Sequence, residues 1–67
     1  MKIKFKLIDY DTNKMIMCEK KSKFLKNLIE MIDSKEKELK ENQFCVVACD
    51  SDKSGKVIVR IITKRGE

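Results

Sequence analysis

The sequence predicts an α+β fold in the order ββαββ, a four-stranded, mainly antiparallel sheet with one amphipathic helix packed on one face. Near both ends of the chain, basic and apolar residues alternate with period two, which is the side-chain period of a β-strand. In the middle, apolar residues recur three and four positions apart, as on one face of an α-helix. At 67 residues, the chain is expected to form one domain, 1–67.

The first two strands are predicted to form a hairpin. Residues 2–9 alternate as the first strand should, and residues 14–20 are predicted as its partner. Between them, Asp11-Thr12-Asn13 supplies side chains that bond nearby backbone and tolerate left-handed conformations, so this segment is expected to turn. The apolar face of the first strand is expected to hold Ile3, Phe5 and Leu7.

The helix is predicted to begin after Ser22, an acceptable N-cap, and to end by Asn42. Beyond Ile32 the apolar stripe continues only at Leu39, so residues 33–42 are expected either to stay helical or to kink and fray. A second capping side chain is available there at Asp33 or Ser34. The stripe expected to face the sheet is Phe24, Leu25, Leu28, Ile29, Ile32 and Leu39.

Two further strands follow the helix. The run from Gln43 to Cys49 is nearly all apolar, which predicts a strand covered on both faces. Residues 50–55 are expected to turn, and residues 56–64 form the last strand. A helix of ~20 residues is ~30 Å long, enough to carry the chain back across the sheet, so the second and third strands are expected to run in the same direction. The core face of the last strand is expected to hold Val57, Val59 and Ile61.

The candidate binding surface is the sheet face that no helix covers. A basic face attracts phosphates, and Tyr10 offers one ring for stacking on a base, which favours nucleic acid. The isoleucines on the same face fit a protein partner, or a homodimer through this face with lysines at its rim, equally well. With a net charge of +5, the chain is suited to acidic partners. The residues predicted for this surface are Lys2, Lys4, Lys6, Tyr10, Lys56, Ile58, Arg60, Ile62 and Lys64.

Two patterns resemble metal or redox sites, and we interpret both as structural. Residues 50–55, Asp-Ser-Asp-Lys-Ser-Gly, match the first half of a calcium loop, but Ile61 stands where a bidentate glutamate is needed. A strand-to-strand turn explains the segment better. Cys45 and Cys49 would lie ~13 Å apart along one strand, too far for a disulfide. The chain has no histidine to complete a zinc site, so Cys18, Cys45 and Cys49 are expected to act as small core hydrophobes.

Catalysis has little support in the sequence. The chain lacks histidine and contains two glycines, which excludes the usual general base and a glycine-rich phosphate loop. We therefore expect a small non-enzymatic protein-binding module, an inhibitor or adaptor of the kind that compact phage or mobile-element genomes encode. The alternative is a nucleic-acid-binding accessory protein. Neither function requires a cofactor or a metal.

A cytoplasmic location is expected, without a membrane partner. No apolar run approaches the ~18 residues that a spanning helix needs, and the region after Met1 lacks the apolar stretch of a signal peptide. Three cysteines are an odd count, which is typical of a reducing compartment.

Overall fold

The computed structural model describes residues 4–66, and these residues form an α+β fold in the predicted order. Lys2 and Ile3, which the sequence assigned to the first strand, lie outside the described residues. The first strand is shorter than predicted within that range, and the second ends two residues early. The elements are β1 (Phe5–Asp9), β2 (Lys14–Cys18), α1 (Lys21–Glu38), β3 (Gln43–Ser51) and β4 (Val57–Arg65).

The four strands form one mixed sheet in the order β2-β1-β4-β3. The pairs β1–β2 and β3–β4 are antiparallel, and β1–β4 is parallel. It follows that β2 and β3 run in the same direction, as expected from the length of the helix. The first and last strands of the chain are therefore the two central strands of the sheet.

β3 is an edge strand, and the prediction that its apolar run is covered on both faces is wrong. The last strand pairs with β1 and takes the central position, so β3 pairs on one side only. Phe44 lies on the sheet face opposite the helix and Val47 lies on the helix side, and each remains nearly half exposed. An apolar run does not distinguish a doubly covered central strand from an edge strand.

The core lies between α1 and one face of the sheet. The parallel register places Phe5 beside Val57 and Leu7 beside Val59, so the predicted apolar faces of the first and last strands form one surface under the helix. The rings of Phe5 and Phe24 stack with their centroids 4.8 Å apart. The buried apolar side chains are Leu7, Cys18, Phe24, Met31, Val59 and Ile61.

Ser22 is not the N-cap of the helix. The helix begins at Lys21, and Lys20 occupies the cap position without a side-chain hydrogen bond. The Phe24 N–H donates to the Lys20 carbonyl at 3.0 Å, closing the first turn. Only two residues separate Cys18 from α1. Because the helix begins at Lys21, earlier than predicted, the Phe24 ring stacks on Phe5. This packing outweighs the small loss of a side-chain cap.

The helix is also rotated relative to the predicted stripe. Leu25 and Ile29 were expected to face the sheet, yet both are exposed, Ile29 to 59%. The buried positions are instead Phe24, Met31 and Lys35, flanked by the partly buried Leu28 and Ile32. Spacings of four, three and four residues keep positions 24, 28, 31 and 35 on one helix face. Leu25 and Ile29 are each one residue, or about 100°, away from that face.

Residues 33–38 belong to the same continuous helix, and α1 ends at Glu38, four residues before the expected terminator Asn42. A turn then reverses the chain. The Lys40 N–H donates to Gln43 Oε1 at 2.9 Å, and the Gln43 N–H donates to the Lys40 carbonyl at 3.0 Å. The last helical turns persist because Lys35 has partners inside the molecule, described below.

The rotation of the helix gives a stability prediction. Met31→Ala should lower the free energy of unfolding by about 2 kcal/mol or more, because it leaves a cavity under α1. Ile29→Ala should change it by no more than about 0.5 kcal/mol, since that side chain lies in solvent. Urea denaturation followed by circular dichroism measures both. Equal losses in the two variants would contradict the rotation.

Candidate interaction face

The sheet face opposite α1 is formed by the even-numbered side chains of β1 and β4 and by their cross-strand neighbours. In the register, Lys6 lies between Met17 and Ile58, and Ile8 lies between Met15 and Arg60. Directly paired residues point to the same side of a sheet. We call this surface the open face; it comprises Lys6, Ile8, Met15, Met17, Phe44, Val46, Ala48, Asp50, Ile58, Arg60, Ile62 and Lys64.

The structure brings most of the predicted surface residues together. Five of them lie on the central strands of the open face: Lys6, Ile58, Arg60, Ile62 and Lys64. Lys4 and Lys56 stand just before β1 and β4, where the Val57 N–H donates to the Lys4 carbonyl at 2.8 Å and continues the pairing. Tyr10 follows β1 and is exposed. Lys2 lies outside the described residues.

The apolar contribution of the two edge strands to this face was not predicted. Met15 and Met17 of β2 are both about half exposed, and Phe44 and Val46 of β3 lie on the same face. Their alternation with neighbouring residues was visible in the sequence. What was missing was the strand order, which alone decides which side chains extend a face formed by the first and last strands.

The charges of the open face are not spread evenly. Arg60 Nη1 lies 2.6 Å from Asp50 Oδ2, so the cation nearest the centre is paired. Lys6 is level with Ile58, and Lys64 lies six residues farther along β4, a distance of ~20 Å. The positions between them on β4 hold Arg60 and Ile62. The open face therefore has a largely apolar centre and lysines toward two opposite ends.

A buried ion cluster lies on the other side of the sheet, under the second half of α1. Lys35 Nζ is 2.8 Å from Asp9 Oδ1 and also bonds to Asp11 Oδ2. The side chains of Lys35 and Asp9 are only 8% and 10% exposed. Asp11 lies two residues after the end of β1, and its Oδ2 also accepts the Thr63 N–H of β4 at 3.1 Å. The cluster thus joins the helix, the first hairpin and β4.

The charges in this cluster are mutually stabilised. Burial opposes ionisation of Asp9, but the hydrogen bond and charge of Lys35 outweigh it and lower the Asp9 pKa. A hydrogen bond from Lys35, followed by one from Thr63, lowers the Asp11 pKa. Burial also opposes the charge on Lys35, yet its bonds to Asp11 and Asp9 raise the Lys35 pKa overall. All three groups are therefore held in their charged forms around neutral pH.

The cluster was not predicted, although the sequence contained its signal. Asp9 continues the odd-numbered core face of Phe5 and Leu7, and Lys35 follows Met31 at helical spacing. An acid and a base, each on a core face, suggest a buried pair. A groove of about 490 Å³ runs beside the cluster between α1 and β2. No buried side-chain nitrogen or oxygen in residues 4–66 lacks a hydrogen-bond partner, so the buried polar atoms of Lys35 and Asp9 are engaged within the fold.

The aspartate-rich segment after β3 forms a turn that starts later than predicted, since Asp50 and Ser51 still belong to β3. Asp52 Oδ1 accepts hydrogen bonds from the Ser54 N–H and hydroxyl and from the Lys56 N–H. These bonds, first among them the one from the Ser54 hydroxyl and then the one from the Lys56 N–H, lower the Asp52 pKa. Gly55 has φ +88°, which favours glycine. Within residues 4–66, no three acidic or cysteine side chains are grouped to hold a metal ion.

The three cysteines are in different environments. Cys18 is buried and accepts a hydrogen bond from Asn27 Nδ2 at 3.3 Å, and Cys45 packs against the core. Burial raises the pKa of the Cys45 thiol. Cys49 is exposed, so the prediction that it is a core hydrophobe is wrong. The physical reason is the edge position of β3, whose far end lies beyond the cover of the helix.

The chain was compared with known proteins. No protein-family model, curated protein or solved structure matches the chain. None of the described residues belongs to a helix long and apolar enough to cross a membrane. The open face and the ion cluster are therefore interpreted from their own chemistry.

The pKa shifts predict how stability depends on pH. The folded pKa of Asp9 and of Asp11 lies below the unfolded value of about 3.9, so their contribution is complete above that value and is lost as pH falls through the folded pKa. The folded pKa of Lys35 is raised, so its contribution is lost only as pH rises above about 10.4. Between about pH 5 and 9, the cluster should contribute a constant stability.

Urea denaturation at several pH values tests this expectation. Asp9→Asn should reduce the difference in unfolding free energy between pH 6 and pH 3, because the variant no longer has a low-pKa carboxylate at that position. The exposed Glu30→Gln serves as the control and should leave most of that difference in place. A difference that is the same in Asp9→Asn and the unaltered chain would contradict the coupling.

Replacing Lys35 alone should lower the free energy of unfolding more than replacing Lys35 and Asp9 together. Lys35→Met should lower the unfolding free energy by about 3 kcal/mol or more, because Asp9 is left buried and charged without its partner. Adding Asp9→Asn should recover part of that loss, since a neutral amide is cheaper to bury than a carboxylate. A double variant no more stable than Lys35→Met would show that the electrostatic account is wrong.

Proposed function

We propose that this chain is a small non-enzymatic protein-binding module that docks through its open face. The inferred partner is a protein surface with an apolar patch flanked by carboxylates. The observation that carries the proposal is the meeting of apolar side chains from all four strands on the face that α1 leaves uncovered. Those side chains are Ile8, Met15, Met17, Phe44, Val46, Ile58 and Ile62.

The apolar centre supports a protein partner. Single exposed apolar residues are normal on a protein surface, but a contiguous patch bounded by polar residues is typical of an interaction site. Two of the side chains, Met15 and Met17, are about half exposed. Methionine is unbranched and adapts its shape to what it contacts, which suits an interface.

The charges of the open face indicate what kind of protein it would bind. Lys6 and Lys64 near the two ends would meet carboxylates at the rim of the partner, speeding encounter and fixing orientation. The one carboxylate of the open face, Asp50, is already paired with Arg60. A second copy stacked face to face would set lysines against lysines, so a different, acidic-rimmed partner explains the face better than the expected face-to-face homodimer.

Nucleic acid remains the alternative, and the geometry supports it less. A single-strand binder needs cations that follow the backbone and aromatic rings on which successive bases stack. On the open face, the central cation is neutralised by Asp50, and one aromatic residue, Phe44, lies on a strand. Tyr10 is the residue after β1, and its N–H donates to the Ile61 carbonyl at 3.0 Å, so it lies at one end of β1 and not at the centre of the face. We therefore treat oligonucleotide binding as an outcome of the test.

The test is a comparison of matched baits. The tagged chain, Met17→Glu and Ile62→Glu are used to capture proteins from the source cells, and Ile29→Glu is the control because its apolar side chain is exposed on α1. Circular dichroism first confirms that each variant is folded. A protein retained by the unaltered chain and the control, but lost by both open-face variants, is then purified and titrated by calorimetry.

The expected result is direct binding that weakens by at least about 30-fold in each open-face variant, which corresponds to the ~2 kcal/mol loss typical of a hot-spot residue. Ile29→Glu should bind like the unaltered chain. If no captured protein distinguishes the baits, the proposal is wrong. Salt-sensitive oligonucleotide binding that Lys6→Glu/Lys64→Glu abolishes would instead establish the nucleic-acid alternative.

A further inference from the structure

The two edges of the sheet differ in how they are protected. Natural edge strands are usually short, carry lysine or proline, or are covered, because their unpaired backbone groups invite another strand. β2 follows this rule with five residues, Lys14 at its start and charged residues just after its end. β3 does not: it has nine residues, and its segment 43–49 contains no charge and no proline. In a chain that is 40% charged, this exception needs an explanation.

The hydrogen bonds at both ends of β3 show which backbone groups are free. The Gly66 N–H donates to the Asn42 carbonyl at 2.7 Å, and the Asp52 N–H donates to the Lys56 carbonyl at 3.0 Å. Both bonds continue the β3–β4 register. In an antiparallel ladder, bonded and non-bonded pairs alternate, so even-numbered residues of β3 bond to β4. The odd-numbered residues Cys45, Val47, Cys49 and Ser51 therefore direct their N–H and C=O groups to the free edge, whereas the Gln43 N–H is already bonded to the Lys40 carbonyl.

We propose that β3 pairs with β3 of a second copy of this chain, antiparallel and about a twofold axis at Val47. The result is one continuous eight-stranded sheet. This register lets all nine residues of β3 overlap and uses the odd-numbered backbone groups, except the Gln43 N–H, which stays bonded to the Lys40 carbonyl. Val47 then pairs with Val47 of the second copy and Cys45 with Cys49, while at each end the Ser51 N–H of one copy can donate to the Gln43 carbonyl of the other.

The side chains suit this pairing with a second copy. On the open-face side, Val46 lies opposite Ala48, and Phe44 lies opposite Asp50. On the helix side, Val47, which is 45% exposed in one copy, is covered by its equivalent. No like charges face each other, because Asp50 is the one charged residue of β3. Directly opposed apolar pairs stabilise neighbouring strands.

Charge and space also permit the pairing. Each copy carries a net charge of +5, yet none of its 16 lysines and arginines lies between residues 41 and 52. The edges can therefore approach without opposing cations. Because Val47 and Cys49 are exposed on the side of the sheet that carries α1, the helix does not cover the edge. This inference does not depend on the proposed function, since it uses the backbone of one edge.

Light scattering after size exclusion, in reducing buffer and over a dilution series, is the first measurement. The expected mass is twice the 7.9 kDa of one chain. Val47→Lys sets two lysines against each other at the axis and should give a monomer, whereas Val47→Thr should remain a dimer. A monomer at every concentration of the unaltered chain overturns the proposal and leaves the edge to another occupant.

Amide hydrogen exchange adds a residue-level test. In the dimer, the N–H groups of Cys45, Val47 and Cys49 should be protected, and in Val47→Lys those of Cys45 and Cys49 should exchange rapidly. The N–H groups of Val46 and Ala48 bond to β4 and should stay protected in both proteins, which shows that the variant is folded. Equal, rapid exchange at positions 45 and 49 in both proteins contradicts edge pairing.

A cross-linking test fixes the register. Bonded antiparallel pairs have Cα atoms ~5.5 Å apart, within the range that a disulfide spans, so Cys45 of one copy can link to Cys49 of the other. Diamide takes up the two electrons and two protons released by the two thiols. A mixture of Cys45→Ser and Cys49→Ser should cross-link, whereas neither variant alone should. Cross-linking of either variant by itself would overturn the register.

Different variants should abolish dimerisation and partner binding. Ile62→Glu should keep the dimer mass while losing the partner, because its side chain lies on the open face of β4. Val47→Lys should lose the dimer mass, and each monomer should still bind through its own open face. A loss of dimer mass in Ile62→Glu would contradict an edge-only contact.

Discussion

Lys35 is the side chain on which the two-layer arrangement depends. Its ammonium group joins Asp9 at the end of β1 to Asp11 in the turn that follows, and Asp11 in turn accepts a backbone N–H from β4. A buried ion pair is weak evidence for stability by itself, because desolvation offsets much of its attraction. Its value here is positional. Lys35 lies on the helix face that also carries Phe24 and Met31, in the part of α1 where apolar residues run out, so the pair adds a contact that holds this face toward the sheet.

The sequence was sufficient for the elements and for the core of the central strands. Alternation at Phe5, Leu7, Val57 and Val59 predicted two strands with a common apolar face, and the structure confirms that both lie under one helix. The turns at residues 11–13 and 52–55 were recognisable because aspartate, asparagine and glycine favour such conformations; Asn13 and Gly55 both have positive φ. These are local properties, decided within a few residues of the chain.

The remaining features depend on contacts between distant residues. The strand order places β3 at the edge of the sheet, where it pairs with β4 on one side and with no strand on the other. The residues Gln43–Cys49 do not themselves indicate this edge position. The rotation of α1 depends on Lys35 meeting two aspartates more than twenty residues earlier. A pattern that counts only apolar residues assigns Leu25 and Ile29 to the core and leaves Lys35 in solvent. A charged residue on a core face has to be interpreted together with its possible partner.

The proposed edge and face have a joint geometric consequence. An antiparallel pairing of two β3 strands about an axis perpendicular to the sheet places both open faces on the same side. The two apolar centres then lie in one plane, each flanked by its own lysines, and the helices lie together on the reverse. A partner that presents two matching patches would bind both copies, and the second contact would form at the high effective concentration set by the first. For a domain of 67 residues with a single helix, pairing also adds stability by mass action, because it favours the folded copy over the unfolded chain.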